Sequence, residues 1–134
     1  MMRIIGYICD HAAYSAADLA GQSGLRYSSD VVLIRLPCAG RLDIIQVLKA
    51  FRDGADAVFV AGCLEKNCHH VYGNIEARKR MEQAKGILDA IGLNGKRLEM
   101  FNLASNQDFK FKEIVDMMVK RVEELGRNPL AVRA

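Results

Sequence analysis

The 134-residue sequence predicts a single small α/β domain: a four-stranded parallel sheet with helices on both faces, wound in the flavodoxin-like way. Three observations predict it. Apolar runs of strand length alternate with stretches of helical periodicity. Glycine or proline punctuates most boundaries between them. The composition, 51% hydrophobic and 26% charged, is that of a folded globular chain and excludes a disordered or collagen-like one. A chain of this length buries roughly two thirds of its unfolded surface, enough for a core without disulfide staples.

The elements follow in order. Arg3 to Cys9 (RIIGYIC) is an apolar run suited to a buried strand. Ala12 to Gly21 is a helix of small residues that Gly21 or Gly24 stops. Val31 to Leu36 (VVLIRL) is the second strand, ended by Pro37. Leu42 to Arg52 carries Ile44, Ile45, Val47, Leu48 and Phe51 at helical spacing, with Asp43 near its start, where a carboxylate suits the helix dipole. Ala55 to Gly62 (ADAVFVAG) is the third strand, followed by a polar loop from Cys63 to about Gly73.

Asn74 is the expected N-cap of a long helix reaching Ile91, with Gly92 as its stop. Arg97 to Leu103 (RLEMFNL) is the fourth strand. Ser105 or Asn106 caps the last helix, whose apolar stripe is Phe109, Ile114, Val115, Met118, Val122 and Leu125, and Gly126 ends it. Residues 1–126 thus form the domain, and 127–134 read as a loose tail. Strands alternating with helices imply right-handed crossovers, a strand order of second-first-third-fourth, and a ligand site outside the carboxyl ends of the strands.

Several function classes are excluded at this stage. The net charge of +3 is too small and too spread out to argue for nucleic acid. The longest apolar runs are about six residues, far short of the roughly 20 that cross a bilayer. No basic start precedes a long apolar stretch, so no secretory signal and no membrane insertion are expected, and the chain reads as cytoplasmic. No C-x5-R loop, no G-x-x-x-x-G-K and no G-x-G-x-x-G after the first strand occur. Arg78, Lys79, Arg80 and Lys85 read as a solvated helix face, with a partner-docking surface as the sharper alternative.

The four cysteines carry the chemistry. Cys9 ends the first strand, Cys38 follows the second directly after Pro37, and Cys63 follows the third directly after Gly62. Cys68 lies five residues further along the same loop. Three parallel strands therefore each deliver a thiol to one edge, and a loop adds the fourth. Structural cysteines would sit mid-strand or on a helix face. Four thiolates are the ligand set of a tetrahedral metal ion or a small iron–sulfur cluster. Structural zinc favours two close C-x2-4-C pairs, whereas only Cys63 and Cys68 are close here, at C-x4-C. Spacing leaves three readings open: an iron–sulfur centre, a structural zinc adaptor, or a thiol–disulfide protein using Cys63 and Cys68. His11, His69 and His70 stand near the cysteines, and Tyr14 reads either as packing over the site or as a core residue.

The segments CDHAAYSAADLAG, PCAGRLD and GADAVFVAGCLEKNCHHVYGN, followed by Arg78 and Arg80 and a closing FKFKEIV, resemble the delta subunit of the methyl-viologen-reducing hydrogenase family. The resemblance runs over about residues 3–126. It implies a [2Fe-2S] cluster ligated by Cys9, Cys38, Cys63 and Cys68, in a protein of anaerobic archaea or bacteria. It implies an electron carrier, itself non-catalytic, serving a hydrogenase or formate dehydrogenase on one side. On the other side stands a heterodisulfide reductase, whose A-like flavoprotein performs electron bifurcation. One stretch departs from the family. Where it reads C-x-W-C, this chain has Cys9-Asp10-His11-Ala12, so Ala12 replaces the second cysteine and His11 the tryptophan. His11 is the substitute ligand if that missing cysteine is one of the family's four.

Overall fold

The computed structural model describes residues 3–9, 31–36, 42–63, 73–103 and 108–129. Four strands, β1 (Ile4–Cys9), β2 (Val31–Leu36), β3 (Ala57–Cys63) and β4 (Leu98–Leu103), form one sheet. All pairings are parallel and the order is β2-β1-β3-β4, as the sequence predicts. Three α-helices accompany it among the described residues: α1 (Ile44–Arg52), α2 (Gly73–Ala90) and α3 (Asp108–Leu125). A 3-10 turn (Gly95–Arg97) leads into β4. The expected helix over 12–21, Tyr14, Pro37 and the caps Ser105 and Asn106 lie outside the described residues.

A parallel sheet must be covered on both faces, which is why its strands read as continuous apolar runs rather than alternating ones. Ile4, Ile8, Ala57, Phe59 and Ala61 meet Phe111, Ile114, Val115, Met118 and Val122 of α3 on one face. Tyr7, Val58, Val60, Leu98 and Met100 meet Val47 and Phe51 of α1 and Met81, Ala84 and Leu88 of α2 on the other. Each fully buried large side chain contributes about 1.5–3 kcal/mol. Phe111 belongs to the α3 stripe although the sequence reading passes over it. It precedes Ile114, Val115 and Met118 by three, four and seven residues, the spacing of one helical face. The side chain of Phe109 lies outside the described residues.

Gly6 has a packing role that its place in an apolar strand conceals. It pairs in register with Phe59. The phenyl ring lies so close that a Cβ on Gly6 would stand 2.3 Å from Phe59 Cζ. The absent side chain is what lets the ring lie across β1.

The helix ends follow the expected signals, shifted by a residue or two. α1 begins at Ile44 rather than Leu42, and Leu42 is buried instead. The Asp43 N–H donates to Gln46 Oε1 at 2.9 Å, satisfying one of the donors a helix start leaves unpaired. α2 begins at Gly73, which puts Asn74 inside the helix rather than at its cap. At its other end Gly92 adopts φ +85°, and the Leu93 N–H donates to Leu88 O at 2.9 Å, the closing bond of a Schellman turn. β3 extends to include Cys63, and β4 starts after Arg97.

The amino end of the sheet holds a buried polar cluster. Asp56, immediately before β3, is wholly buried. It accepts from the Arg3 N–H at 2.8 Å and the Asn128 N–H at 2.7 Å, and faces Arg127 Nε at 3.4 Å. Arg97 donates to the carbonyls of Leu93 (2.7 Å), Asp56 (3.0 Å) and Gly126 (2.8 Å). Burial lowers the Arg97 pKa, and the charge of Asp56 draws it back up. The Asn128 amide donates to Phe51 O at 2.8 Å and Ala55 O at 2.7 Å. The expectation of a loose tail from Arg127 onward is therefore corrected over residues 127–129. Asn128 is buried because its amide donates to carbonyls at the end of α1 and before β3, of which Phe51 O also accepts from the Gly54 N–H. Residues 130–134 lie outside the described residues.

Candidate functional site

Because every strand runs the same way, all four carboxyl ends open onto one rim. Cys9 is the last residue of β1 and Cys63 the last of β3. These strands are hydrogen-bonded neighbours, with Ile8 level with Ala61. Cys9 is level with Leu36, which ends β2, and Cys63 with Leu103, which ends β4. The backbones of two predicted ligands thus lie on adjacent strands at one edge, separated laterally by roughly the 4.8 Å strand spacing. The side chains of Cys9 and Cys63, all of Cys38 and Cys68, and His11, Ala12, His69 and His70 lie outside the described residues. Among the described residues no three His, Cys, Asp or Glu side chains gather around a common point.

Gly62 and Tyr7 shape the rim from within the sheet. Gly62 is buried directly before Cys63 and presents no side chain beside it. Tyr7, two residues before Cys9, is buried in the core beneath α1 and α2. Burial pushes its hydroxyl pKa up, so it stays protonated at neutral pH.

The basic residues of α2 are less solvated than the sequence predicts. Lys79 is exposed. Arg78 is half-buried and donates from Nη2 to Asn102 Oδ1 on β4. Arg80 Nη1 donates to Leu42 O at 3.4 Å, and Lys85 Nζ lies 3.4 Å from Glu99 Oε1. The physical reason lies in the helix phase. Arg78 and Lys85 flank the buried Met81 and Leu88 at spacings of three and four residues, so their stems follow the apolar stripe inward. That spacing was the available signal. Asn102, a polar residue within an apolar strand, was the other.

The fold and this rim define a class: a small parallel α/β domain in which two neighbouring strands, β1 and β3, close on cysteines. Residues 4–126 match the family described as methyl-viologen-reducing hydrogenase, delta subunit, and the chain belongs to that family. It is 46% identical over 127 residues to the vhu iron-sulfur subunit of the F420-non-reducing hydrogenase of Methanococcus maripaludis, covering 95% of each chain. The protein of the same name from Methanocaldococcus jannaschii is 44% identical over the same shares. A third relative differs in length. The A component of the ferredoxin/F(420)H(2)-dependent CoB-CoM heterodisulfide reductase of Methanosarcina acetivorans is 37% identical over 123 residues, which are 92% of this chain and 16% of that one. No helix among the described residues is long and apolar enough to cross a membrane.

Proposed function

We propose that this chain is a cytoplasmic one-electron carrier that holds a [2Fe-2S] cluster through Cys9, Cys38, Cys63 and Cys68. The observation that carries the reading is the shared rim: Cys9 and Cys63 close neighbouring parallel strands. Connectivity adds to it. Cys38 follows Leu36 by two residues, a span of at most about 7 Å, and Leu36 is level with Cys9. The donor set fits such a group. Thiolates are its usual ligands, and one ligand per chain segment suits a centre larger than a single ion. When bound, the cluster supplies a one-electron couple. The chain's part is to hold four thiolates at one edge, to exclude water beneath them with the Tyr7 layer, and to present the rim outward.

The relatives support the choice of partners. Two are named as iron-sulfur subunits of a hydrogenase, and the A component of a heterodisulfide reductase contains a stretch similar to nearly all of this chain. A domain that occurs both alone and within such a component is one that works beside it. The carrier therefore takes electrons from a hydrogenase or formate dehydrogenase and passes them to the A-like flavoprotein of a heterodisulfide reductase.

The test is analytical. Protein purified without oxygen is expected to hold about two irons and two acid-labile sulfides per chain and to give a paramagnetic signal on reduction. Zinc without sulfide would establish the adaptor instead. A metal-free protein with a reversible Cys63–Cys68 disulfide would establish thiol chemistry.

A further inference from the structure

We propose that Asn94–Gly95 is a latent modification site, held against spontaneous deamidation by the fold, with Asp89 as the residue that guards it. It is the only Asn-Gly pair in the chain. Glycine has no side chain to shield its nitrogen, so in this pairing the backbone most readily attacks the preceding side chain. In that reaction the Gly95 nitrogen loses its proton and bonds to Asn94 Cγ, the Cγ–Nδ2 bond breaks, and ammonia leaves. Water then opens the cyclic imide at either carbonyl, to aspartate or isoaspartate.

The fold dictates both residues. Gly95 opens the 3-10 turn against the last turns of α2, where a Cβ would stand 2.8 Å from Lys85 O. Asn94 is, among the described residues, the only non-glycine with a positive φ, at 80° with ψ 116°. Asparagine tolerates positive φ better than most side chains. Its Oδ1 also accepts from the Lys96 N–H at 2.9 Å. The same local structure blocks the reaction. The buried Gly95 N–H donates to Asp89 Oδ1 at 2.7 Å. Removing that proton would set a second negative charge against the carboxylate. A ψ of 116° also turns the Gly95 nitrogen away from the Asn94 Cα–Cβ bond, with which it must be nearly eclipsed to close the ring. Bringing it round at this φ leads into backbone territory open essentially to glycine alone. Conversion therefore requires the turn to open. Isoaspartate would lengthen the main chain between Leu93 and Arg97, whose guanidinium donates to the Leu93, Asp56 and Gly126 carbonyls. A converted chain cannot re-form that set unchanged, so conversion marks chains whose amino rim has opened.

Full-length wild type, Asp89→Ala, Asp89→Asn and Gly6→Ala are incubated in mildly alkaline buffer, and wild type also in urea. Peptide mapping by mass spectrometry reads conversion at Asn94, and thermal midpoints are recorded for each. Folded wild type is expected to convert at least about tenfold more slowly than the chain in urea, a factor within the strength of one charge-assisted hydrogen bond. Folded Asp89→Ala is expected to convert about tenfold faster than folded wild type. Asp89→Asn, which keeps an amide oxygen for the Gly95 N–H, is expected to fall between them. Gly6→Ala, destabilised at the sheet with the turn intact, is expected to stay near wild type. Equal rates in folded and urea-held wild type would overturn the protection. Asp89 variants at or below the wild-type rate would overturn the guarding role, since a carboxylate acting as a base speeds the attack instead. A Gly6→Ala rate equal to that of Asp89→Ala would also overturn it, by making global unfolding the route. If Asp89→Ala fails to fold, Asp89→Asn decides.

Discussion

At the amino end of the sheet, Asp56, Arg97 and Asn128 satisfy one another and the surrounding carbonyls inside the protein. At the carboxyl end, β1 and β3 close on cysteines. The same strands serve both ends, six or seven residues apart. The amino end binds distant parts of the chain together: Arg3, before β1, and Asn128, after α3, bond to one buried carboxylate. The difference teaches where the fold keeps its cohesion. A domain whose ends are tied at one rim leaves the other free to commit its side chains to a ligand.

Two substitutions separate the rims most sharply. Cys63→Ser is expected to abolish iron retention, since an alcohol is a poor substitute for a thiolate at such a site. The folded chain should persist, as judged by circular dichroism. Asp56→Ala is expected to do the reverse. It leaves the Arg3 and Asn128 N–H groups and Arg127 Nε without their buried acceptor and removes the carboxylate charge near Arg97, at a cost of about 3–5 kcal/mol. Urea denaturation measures that loss, and the fraction still folded should bind iron as wild type does. A large stability loss in Cys63→Ser, or iron loss from folded Asp56→Ala, would break the division.

Gly6 lies between the two ends and tests the sheet itself. Gly6→Ala sets a methyl group against the Phe59 ring and should cost about 1–3 kcal/mol. Adding Phe59→Leu opens room at the contact and should recover part of that loss. Non-additive urea midpoints for the pair would verify the contact.

Much of the comparison was legible in the sequence, and unevenly. The strand runs, Gly92, Gly126 and the positions of Cys9 and Cys63 are local signals: each is read from a few neighbouring residues. Their consequence, one rim for all the strand ends, follows from parallel topology alone. The amino-end cluster has no local signal. Asp56 and Asn128 are 72 residues apart, and Arg97 and Asp56 41. In the sequence Asp56 reads as a residue of the third strand and Asn128 as part of a loose tail, and nothing local pairs them until the fold brings them together. Gly6 reads as a weak strand residue for the same reason, because Phe59 is its neighbour only across the sheet.

The smallest expected effect comes from a third region, the edge formed by β4. Glu99 lies 2.9 Å from Arg121 of α3 and 3.4 Å from Lys85 of α2, so one carboxylate joins the helical layers on the two faces around an edge strand. Charges along an edge also discourage pairing with another chain. Burial pushes the Glu99 pKa up, but the Arg121 hydrogen bond and the charge and hydrogen bond of Lys85 outweigh it and leave it below the ordinary value. A carboxylate whose pKa is depressed on folding stabilises the fold above its unfolded pKa, and loses that stabilisation as pH falls through the depressed value. Glu99→Gln should therefore lower stability by about 1 kcal/mol at neutral pH. The gap to wild type should close as pH falls through and below the ordinary carboxylate range. Urea midpoints followed from pH 7 to pH 3 measure this. A gap that stays constant with pH would assign the loss to packing at the edge rather than to charge.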